Sequence, residues 1–558
     1  MSAMETLVLG DTEADTTARR RVGRVIAGSG ADYLVMIEAT ERGDAPSAGD
    51  LLVFGQGPLT VACVAAISVP APSGSDEVDE IWIAEVTLLG TLADGAFTRG
   101  VLHSPGLGDA AHAADEADLS AIYAPPGRHV PIGTLARQPE VGAGVCASSL
   151  AAGFGVFGAS GAGKSCTLAV LVRALLRTRA PVRPVLLDAH DEYARSFGRA
   201  ARVLRPGAGF VPHWLLTFEE LCWALSLDGG PLGEDEAALL AEAVPAARRR
   251  MLQRNGADAG APVTLDSPSP WRLTDAISWL DKSRQADRRP VVGYERLRGR
   301  LTAAPTDARL RAVFGGVAAT DSLPGLLADV FGLGAAKDAP PMTIIQLGGL
   351  SLGLDRLVAA VLCRLALAVA EGSGGRVPIL MLAEDAERYA PKEEANRVTE
   401  LSRQAMEGLA RRGARVGAGL GITSARPGLV SPRLVAELPT AFVHRLPSEE
   451  ARRSLGEMLP EGGGAQVAVA GTLGTQDCIA LGRGVPAPGI LRIDGLPDAA
   501  LPRSERGGPV SAAAQGAELV ARLIGRWRFG EEPTPPRVEA RAEAAPASPP
   551  PPRVVPAA

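Results

Sequence analysis

The sequence has little of what marks secreted, metal-binding or disulfide-linked proteins. Its six cysteines are scattered singly over 558 residues, and their spacing contains neither a CxxC pair nor a pattern that suggests a zinc site or a disulfide frame. The N-terminal stretch MSAMETLVLGDTEAD lacks the basic start and the long apolar run of a secretory signal. We therefore expect a protein of the reducing cytoplasm.

Long apolar runs and a strong charge of either sign are also missing. The most apolar run, LVAAVLCRLALAV at 357–369, is too short to span a bilayer and carries Arg364 at its middle, which predicts a core helix and no membrane contact. The formal net charge is only −6, so any contact with nucleic acid would need a local basic patch. With 46% hydrophobic and 22% charged residues, the composition is typical of a globular protein with a sizeable core.

The chain divides into two main regions of different pattern. Residues 20–92 hold short β-like runs between Gly- and Pro-rich turns, which predicts a small barrel or sandwich within a domain that, with its connector, covers residues 1–135. From residue 153 onward, continuous apolar runs alternate with helical patterns, which indicates a mostly parallel sheet covered by helices, an α/β core that we place at 136–510. Helical spacing at about 213–340 predicts a helical insertion in that core.

The C-terminal part differs from both regions. Residues 511–530 predict a closing amphipathic helix. Residues 531–558 contain nine prolines among Glu, Ala and Arg and have few apolar side chains to bury, so we expect a disordered tail.

The clearest chemical signal is GASGAGKS at 158–165. It follows the apolar run FGVFG and leads into the helical pattern CTLAVLVRALL, so it meets the strand, loop and helix context of a phosphate-binding loop, which disfavours a chance glycine turn. Lys164 would reach the β and γ phosphates, and Ser165 would ligate Mg²⁺. We predict that ATP is bound by Gly158, Ala159, Ser160, Gly161, Ala162, Gly163, Lys164, Ser165 and Cys166.

A second signal is LMLAEDAERYAP at 380–391, where an apolar run ends in two adjacent carboxylates. A nucleotide hydrolase needs one carboxylate to hold its metal ion and one to orient water, and strand ends supply such groups. We assign Glu384 to the metal ion and Asp385 to water. An ordinary acidic strand end is the alternative.

Four motifs in order, GASGAGKS, LLDAHDEY at 186–193, LAEDAERYAP at 382–391 and ARRGARVGAGLGITSARPG at 410–428, resemble those of the HerA-type ATPases in the HerA/FtsK superfamily. The resemblance covers roughly residues 20–500. It implies an N-terminal barrel, a RecA-like P-loop core, and ATP and Mg²⁺ as cofactors. It also implies a homo-hexameric ring that moves DNA and works with a nuclease, and some relatives act in antiphage systems.

The resemblance also implies roles for single residues. Glu384 and Asp385 match an Asp-Glu pair, and Glu192 would sit near the γ phosphate. Asp188, His190 and Tyr193 match the same strand-end motif as Glu192, in which Ala189 and Asp191 are departures. A core histidine is the alternative for His190.

An arginine finger from a neighbouring subunit would be Arg415, Arg412 or Arg411. The alternative is that these arginines form the solvated face of a helix starting near Asn396.

Other departures bear on catalysis. Ala425 stands where the family has a glutamine, and Glu387 stands where it has a histidine. We therefore keep two hypotheses, a ring-forming DNA translocase or helicase with ATPase activity, and a weakly hydrolysing ATP-binding scaffold or regulatory subunit of a nuclease or defence complex. A membrane-bound coupling ATPase and a small-molecule kinase fit the sequence less well.

Overall fold

The computed structural model describes residues 19–503, together with 520, 524 and 525, apart from short gaps. Apart from those three residues, the predicted helix at 511–530 lies outside the described residues, and so does the predicted tail at 531–558. The gaps are 39–44, 70–80, 126, 128, 179–180, 228–229, 257–262, 287–290, 317–319, 335, 337, 352, 394–396 and 460–463.

The N-terminal strands form a closed antiparallel barrel. The seven strands are β1 (Arg21–Ser29), β2 (Asp32–Ile37), β3 (Leu51–Phe54), β4 (Leu59–Ser68), β5 (Trp82–Ala93), β6 (Ala96–Arg99) and β7 (Ala110–Ala113). Six of them pair in the order β2-β1-β7-β3-β4-β5, and β5 pairs back with β2, while the short β6 pairs with the end of β5. Apolar side chains such as Val22, Val25 and Val35 are buried in the interior of the barrel.

The second sheet has eleven strands. The strands are β8 (His129–Leu135), β9 (Gly142–Cys146), β10 (Gly153–Phe157), β11 (Arg183–Asp188), β12 (Ala201–Leu204), β13 (Met342–Gln346), β14 (Ile379–Ala383), β15 (Ala418–Ser424), β16 (Thr440–His444), β17 (Asp477–Gly482) and β18 (Gly489–Ile493). Their order in the sheet is β12-β13-β11-β14-β15-β10-β16-β17-β18-β8-β9, parallel from β12 to β16 and antiparallel from β16 to β9.

Helices cover this sheet, as its all-apolar central strands require. The helices are α1 (Glu116–Tyr123), α2 (Ala147–Ala152), α3 (Lys164–Arg177), α4 (Ala194–Phe197), α5 (Phe218–Ala224), α6 (Glu234–Arg254), α7 (Leu273–Ala286), α8 (Val291–Ala303), α9 (Arg311–Phe314), α10 (Leu323–Phe331), α11 (Leu354–Gly372), α12 (Arg397–Val416), α13 (Pro432–Ala436), α14 (Glu449–Met458) and α15 (Gly464–Ala468). The fold is therefore the predicted α/β P-loop core preceded by a small all-β barrel.

The apolar run at 357–369 lies within α11 and contributes buried side chains to the main core, as predicted. Among the helices of the described residues, none is both long enough and apolar enough to cross a membrane. The segment 213–340, predicted as a helical insertion, contains α5 to α10.

The parallel part of the sheet determines where a site can form. In a parallel sheet the carboxyl ends of the strands meet at one edge, and ligands bind there. The loops after β10, β11, β14, β15 and β16 all leave from this edge. β15 lies between β10, which leads into the glycine-rich loop, and β14, which leads into the two carboxylates.

Candidate nucleotide-binding site

The glycine-rich loop between β10 and α3 has the backbone of a phosphate-binding loop. Gly158, Gly161 and Gly163 have φ values of 152°, 74° and 110°, which side-chain-bearing residues rarely adopt. Helix α3 then begins at Lys164, so the N–H groups of its first turn and the positive end of its dipole point toward the loop. This arrangement suits a bound anion.

Two neighbouring strands fix the loop through its backbone. The Gly158 amide donates to the carbonyl of Ser424 at the end of β15, at 3.2 Å. The Ala159 amide donates to the carbonyl of Arg445, which follows β16, at 2.9 Å. Because the loop is held from both sides, its shape is already set in the protein alone.

Lys164 is half-buried among carboxylates. Its ammonium donates to the Ala159 carbonyl at 3.1 Å. Burial lowers the pKa of Lys164, and the charges of Asp385, Glu387 and Glu384 counteract this, in that order of strength. The structure therefore brings the loop lysine and the predicted acid pair together, although more than 200 residues separate them in the sequence.

Glu384 is buried at the carboxyl end of β14, with 4% of its surface exposed. One carboxylate oxygen accepts a hydrogen bond from the Ala189 amide at 3.1 Å. Burial raises the pKa of Glu384 well above its usual value, and the negative charge of Asp188 adds to the rise. A cation beside this carboxylate would compensate its burial.

Asp385 forms an ion pair with His190. The carboxylate oxygen lies 2.7 Å from Nε2 of the ring, and the hydrogen bond raises the pKa of His190 to about 9 and lowers that of Asp385. The Asp385 backbone is in the left-handed region with φ of 51°, and its amide donates to Thr423 Oγ1 on β15 at 3.2 Å. His190 is therefore not the core histidine that the sequence left open, because its ring is about half exposed.

A buried carboxylate shapes the turn that carries His190 and Glu192. Asp188 accepts hydrogen bonds from the amides of Glu192 and Tyr193 at 3.0 and 3.1 Å, and its burial raises its pKa to about 6. Asp191, with φ of 58°, accepts from the Gly348 amide at 3.2 Å. These contacts orient the turn toward the phosphate loop, where the charge of Glu192 acts on Lys164.

Tyr193 is a buried tyrosine beside the phosphate loop. Its ring is fully buried, which raises the pKa of its hydroxyl well above the usual value; the negative charge of Glu384 adds to the rise, and the neighbouring Ser165 hydroxyl opposes it. Ser165, predicted as a Mg²⁺ ligand, is therefore a neighbour of the buried Tyr193 hydroxyl.

The basic residues proposed as arginine fingers lie elsewhere. Arg411, Arg412 and Arg415 are exposed near the end of α12, which begins at Arg397, one residue after the predicted start. Helix α12 leads into the amino end of β15, whose seven residues span about 20 Å before the site edge is reached. The structure therefore does not bring Arg415 to this chain's own loop, and its role in a neighbouring subunit stays a prediction.

The two departures that bear on catalysis, Glu387 and Ala425, occupy the site edge. Glu387 is nearly buried, and its Oε1 lies 3.6 Å from Nε of the largely exposed Arg426. Its other carboxylate oxygen is buried without a hydrogen-bond partner among the described residues. Ala425 follows β15 directly and supplies no polar side chain there.

Sequence reasoning missed His444, the last residue of β16. This histidine is fully buried beside the phosphate loop, with Nε2 at 2.8 Å from Thr167 Oγ1 and Nδ1 at 3.0 Å from the Asp477 carbonyl. It belongs to none of the motifs. The signal that could have found it is its position, because it ends an apolar strand that pairs with β10.

Comparisons with known proteins bear on the family. A family model described as the central domain of the helicase HerA matches residues 130–366. That segment contains the phosphate loop and the DAHDEY turn but ends before the acid pair. A comparison with curated proteins gives no match.

Solved structures with similar folds include VirB4 and a conjugative coupling protein. VirB4 of Thermoanaerobacter pseudethanolicus is 14% identical over 67% of this chain and 98% of that chain, with a TM-score of 0.49. The bacterial conjugative coupling protein TrwBdeltaN70 is 15% identical over 70% of this chain and 94% of that chain, with a TM-score of 0.44. The family model and the loop geometry agree, and residues 130–366, which contain the phosphate loop, are similar to the HerA central domain.

Proposed function

We propose that this chain is an ATP-dependent, ring-forming DNA translocase or helicase of the HerA type. The observation that carries the proposal is the meeting of the phosphate loop with the acidic strand ends at the end of β15. There Gly158 donates to the Ser424 carbonyl and the Asp385 amide donates to Thr423 Oγ1. The charges of Asp385, Glu387 and Glu384 act on Lys164, in agreement with this placement. A cradle for phosphate beside carboxylates that can hold a metal ion and orient water is what nucleotide hydrolysis requires.

The residues present fit ATP with Mg²⁺. Among the described residues there is no cluster of three or more His, Cys, Asp or Glu side chains that could enclose a metal ion. This suits Mg²⁺, which is held by one or two protein oxygens together with phosphate oxygens and water. Ser165 and Glu384 are the proposed protein ligands, and the buried Glu384 has the raised pKa of a carboxylate that lacks a compensating charge. The cation would neutralise phosphate charge during transfer.

The protein's own residues would bind the phosphates and orient the attacking water. Gly158 to Cys166 bind the phosphates through backbone amides, and Lys164 supplies positive charge at the terminal phosphate. Asp385 is the proposed water-orienting group, and Glu192 is the second acid near the terminal phosphate. The His190 ring holds one oxygen of the Asp385 carboxylate and so fixes its direction.

Assembly and partners follow from the family. Arg415, which lies far from this chain's own loop, would reach the site of the next copy in a homo-hexamer. The exposed α12 arginines are compatible with that role. DNA is the proposed substrate of movement, and a nuclease or other effector protein is the proposed partner.

The test measures ATP hydrolysis and mass together. The full-length chain at micromolar concentration with ATP and Mg²⁺ is expected to run at the mass of a hexamer, and double-stranded DNA is expected to raise its turnover. A strictly monomeric mass with ATP and Mg²⁺ contradicts ring formation. Turnover that DNA leaves unchanged contradicts the translocase.

A specific observation also favours a second function, an ATP-binding scaffold that hydrolyses slowly. Asp385 is one methylene shorter than the usual glutamate and is engaged by His190, and Ala425 lacks the amide that the family carries. A water-orienting group displaced by about 1 Å can cost on the order of a hundredfold in rate. Tight ATP binding and full assembly, with turnover that stays very low with DNA and rises when an effector is added, would identify the scaffold.

A further inference from the structure

We propose that His444 is a positioning residue for the phosphate loop, holding the first turn of α3 in register with the loop so that nucleotide can bind. The proposal rests on the proposed nucleotide-binding function and adds a residue from outside the motifs. Its evidence is the set of contacts that the His444 ring makes with three separate elements.

The first contact is with the loop itself. Strands β10 and β16 pair in parallel, with Phe157 opposite Val443, so His444 lies opposite Gly158, the first loop glycine. A Cβ added to Gly158 would lie 2.7 Å from the His444 Cβ, and one added to Gly163 would lie 3.6 Å from His444 Cε1. The histidine therefore packs directly beneath both ends of the loop.

The second contact is with helix α3. Thr167 belongs to the first turn of α3, three residues after Lys164, and its amide donates to the Gly163 carbonyl at 2.9 Å. Its hydroxyl lies 2.8 Å from His444 Nε2, and both residues are buried. The hydrogen bond thus joins the turn that presents Lys164 to a strand of the central sheet.

The third contact fixes the proton of the ring. Nδ1 lies 3.0 Å from the Asp477 carbonyl, which can only accept, so Nδ1 carries the hydrogen. Burial and the nearby charge of Lys164 lower the pKa of His444 to about 4, so the ring is neutral at pH 7. In the neutral ring with its hydrogen on Nδ1, Nε2 accepts from the Thr167 hydroxyl, and both nitrogens are paired.

These contacts separate two roles of one side chain. The bond from Nδ1 to Asp477 links β16 to β17 and is structural. The bond to Thr167 links the sheet to the phosphate-binding turn and is the one that positions the loop. Since asparagine places a polar group near the former Nδ1 and glutamine places one near the former Nε2, the two roles can be removed one at a time.

The experiment measures the dissociation constant of fluorescently labelled ADP with Mg²⁺, and the unfolding temperature without nucleotide, for the full-length chain. We expect Thr167→Val and His444→Asn to weaken binding about tenfold each, the effect of one lost buried hydrogen bond. The double variant should bind no more weakly than either single variant, because both changes remove the same bond. His444→Gln should bind within about threefold of the wild type, although its unfolding temperature falls because the bond to Asp477 is lost.

Contrary results are equally definite. If His444→Gln loses as much affinity as His444→Asn, or if Thr167→Val binds like the wild type, His444 is a structural residue and the proposal is overturned. Thr167→Val keeps the side-chain shape, so it gives an answer even if a His444 variant does not fold. The Lys164→Ala variant shows whether only the His444 proposal fails or the proposed nucleotide-binding function fails as well. A wild type that binds while Lys164→Ala does not leaves the proposed function standing, and a wild type that does not bind overturns both.

Discussion

The phosphate loop and the acidic strand ends lie at the same edge of the same sheet, yet they are stabilised in opposite ways. The loop at 158–165 is held by backbone hydrogen bonds to β15 and β16 and rests on a neutral histidine with both nitrogens paired. The acidic ends at 188–192 and 384–385 crowd carboxylates together, and both Asp191 and Asp385 have positive φ values.

The pKa values express the same difference. In the acidic region burial raises the pKa of Asp188 to about 6 and that of Glu384 well above its usual value, so negative charge there is costly in the protein alone. Protonated His190 is one positive charge in this region, and Lys164 is a second one on the loop, which also faces the position of the phosphates. The phosphate loop therefore already has the shape that binds its ligand. The buried carboxylates of the acidic ends, in contrast, would be stabilised by a bound cation.

The largest expected effect concerns the loop. Lys164→Ala should weaken the binding of Mg²⁺ with ATP at least about a hundredfold, because it removes the positive charge that faces the terminal phosphates. Isothermal titration calorimetry measures it. Lys282→Ala, which removes an exposed lysine on α7, is the matched control and should bind like the wild type. Equal affinity in Lys164→Ala and Lys282→Ala would show that the loop is not the phosphate site.

A smaller effect separates the two buried carboxylates by stability. Asp188→Asn should lower the free energy of unfolding by about 2 kcal/mol, because Asp188 accepts two backbone hydrogen bonds and the new NH₂ group would face a backbone donor. Glu384→Gln keeps an acceptor for its one bond from Ala189 and removes a buried charge, so the nucleotide-free protein should be as stable as the wild type or slightly more stable.

Thermal unfolding of the two variants without nucleotide measures this contrast. A Glu384→Gln protein that unfolds as early as Asp188→Asn would mean that the Glu384 carboxylate is compensated in the protein alone. The acidic ends would then be as preformed as the loop, and the comparison between the two regions would fail.

The smallest effect is the pH dependence of the His190 and Asp385 ion pair. The pKa of His190 is about 9 in the folded chain, above the usual value of a histidine. Protonated His190 therefore stabilises the fold fully below about pH 6.5, and this stabilisation is lost as the pH rises through 9. His190→Gln should therefore unfold at a lower temperature than wild type at pH 6, by an amount equivalent to less than about 1 kcal/mol because the pair is part-exposed. The difference should close at pH 10. A gap that widens above pH 9 would contradict the assignment.

The sequence predicts those parts of the site that are encoded locally. GASGAGKS carries its own strand, loop and helix signals within a few residues, and an apolar run that ends in two acids marks a strand end. The strand pattern alone predicts a barrel or a sandwich, because closure depends on β5 pairing with β2, which is a matter of register and not of composition. The family resemblance is what predicts the barrel, and the structure confirms it.

Contacts between distant segments could not be predicted. The His190 and Asp385 pair joins positions 195 residues apart, and the Thr167 and His444 contact joins positions 277 residues apart. Both depend on strand order, since β11, which precedes His190, lies beside β14, and β16 lies beside β10. Hydrophobic periodicity identifies strands but does not order them, so His444 reads from the sequence as the end of one apolar run among several.

The central claim is tested most directly by comparing the ATP turnover of Asp385→Asn with that of Asp191→Asn, in the presence of Mg²⁺ and DNA. Both positions have positive φ values, which asparagine tolerates, so both variants should fold. If Asp385 orients the water, Asp385→Asn should lose about a hundredfold in turnover while ATP affinity stays near the wild-type value, and Asp191→Asn should retain its turnover. If Asp385→Asn hydrolyses ATP as fast as the wild type, Asp385 does not orient the water, and Glu192 becomes the better candidate.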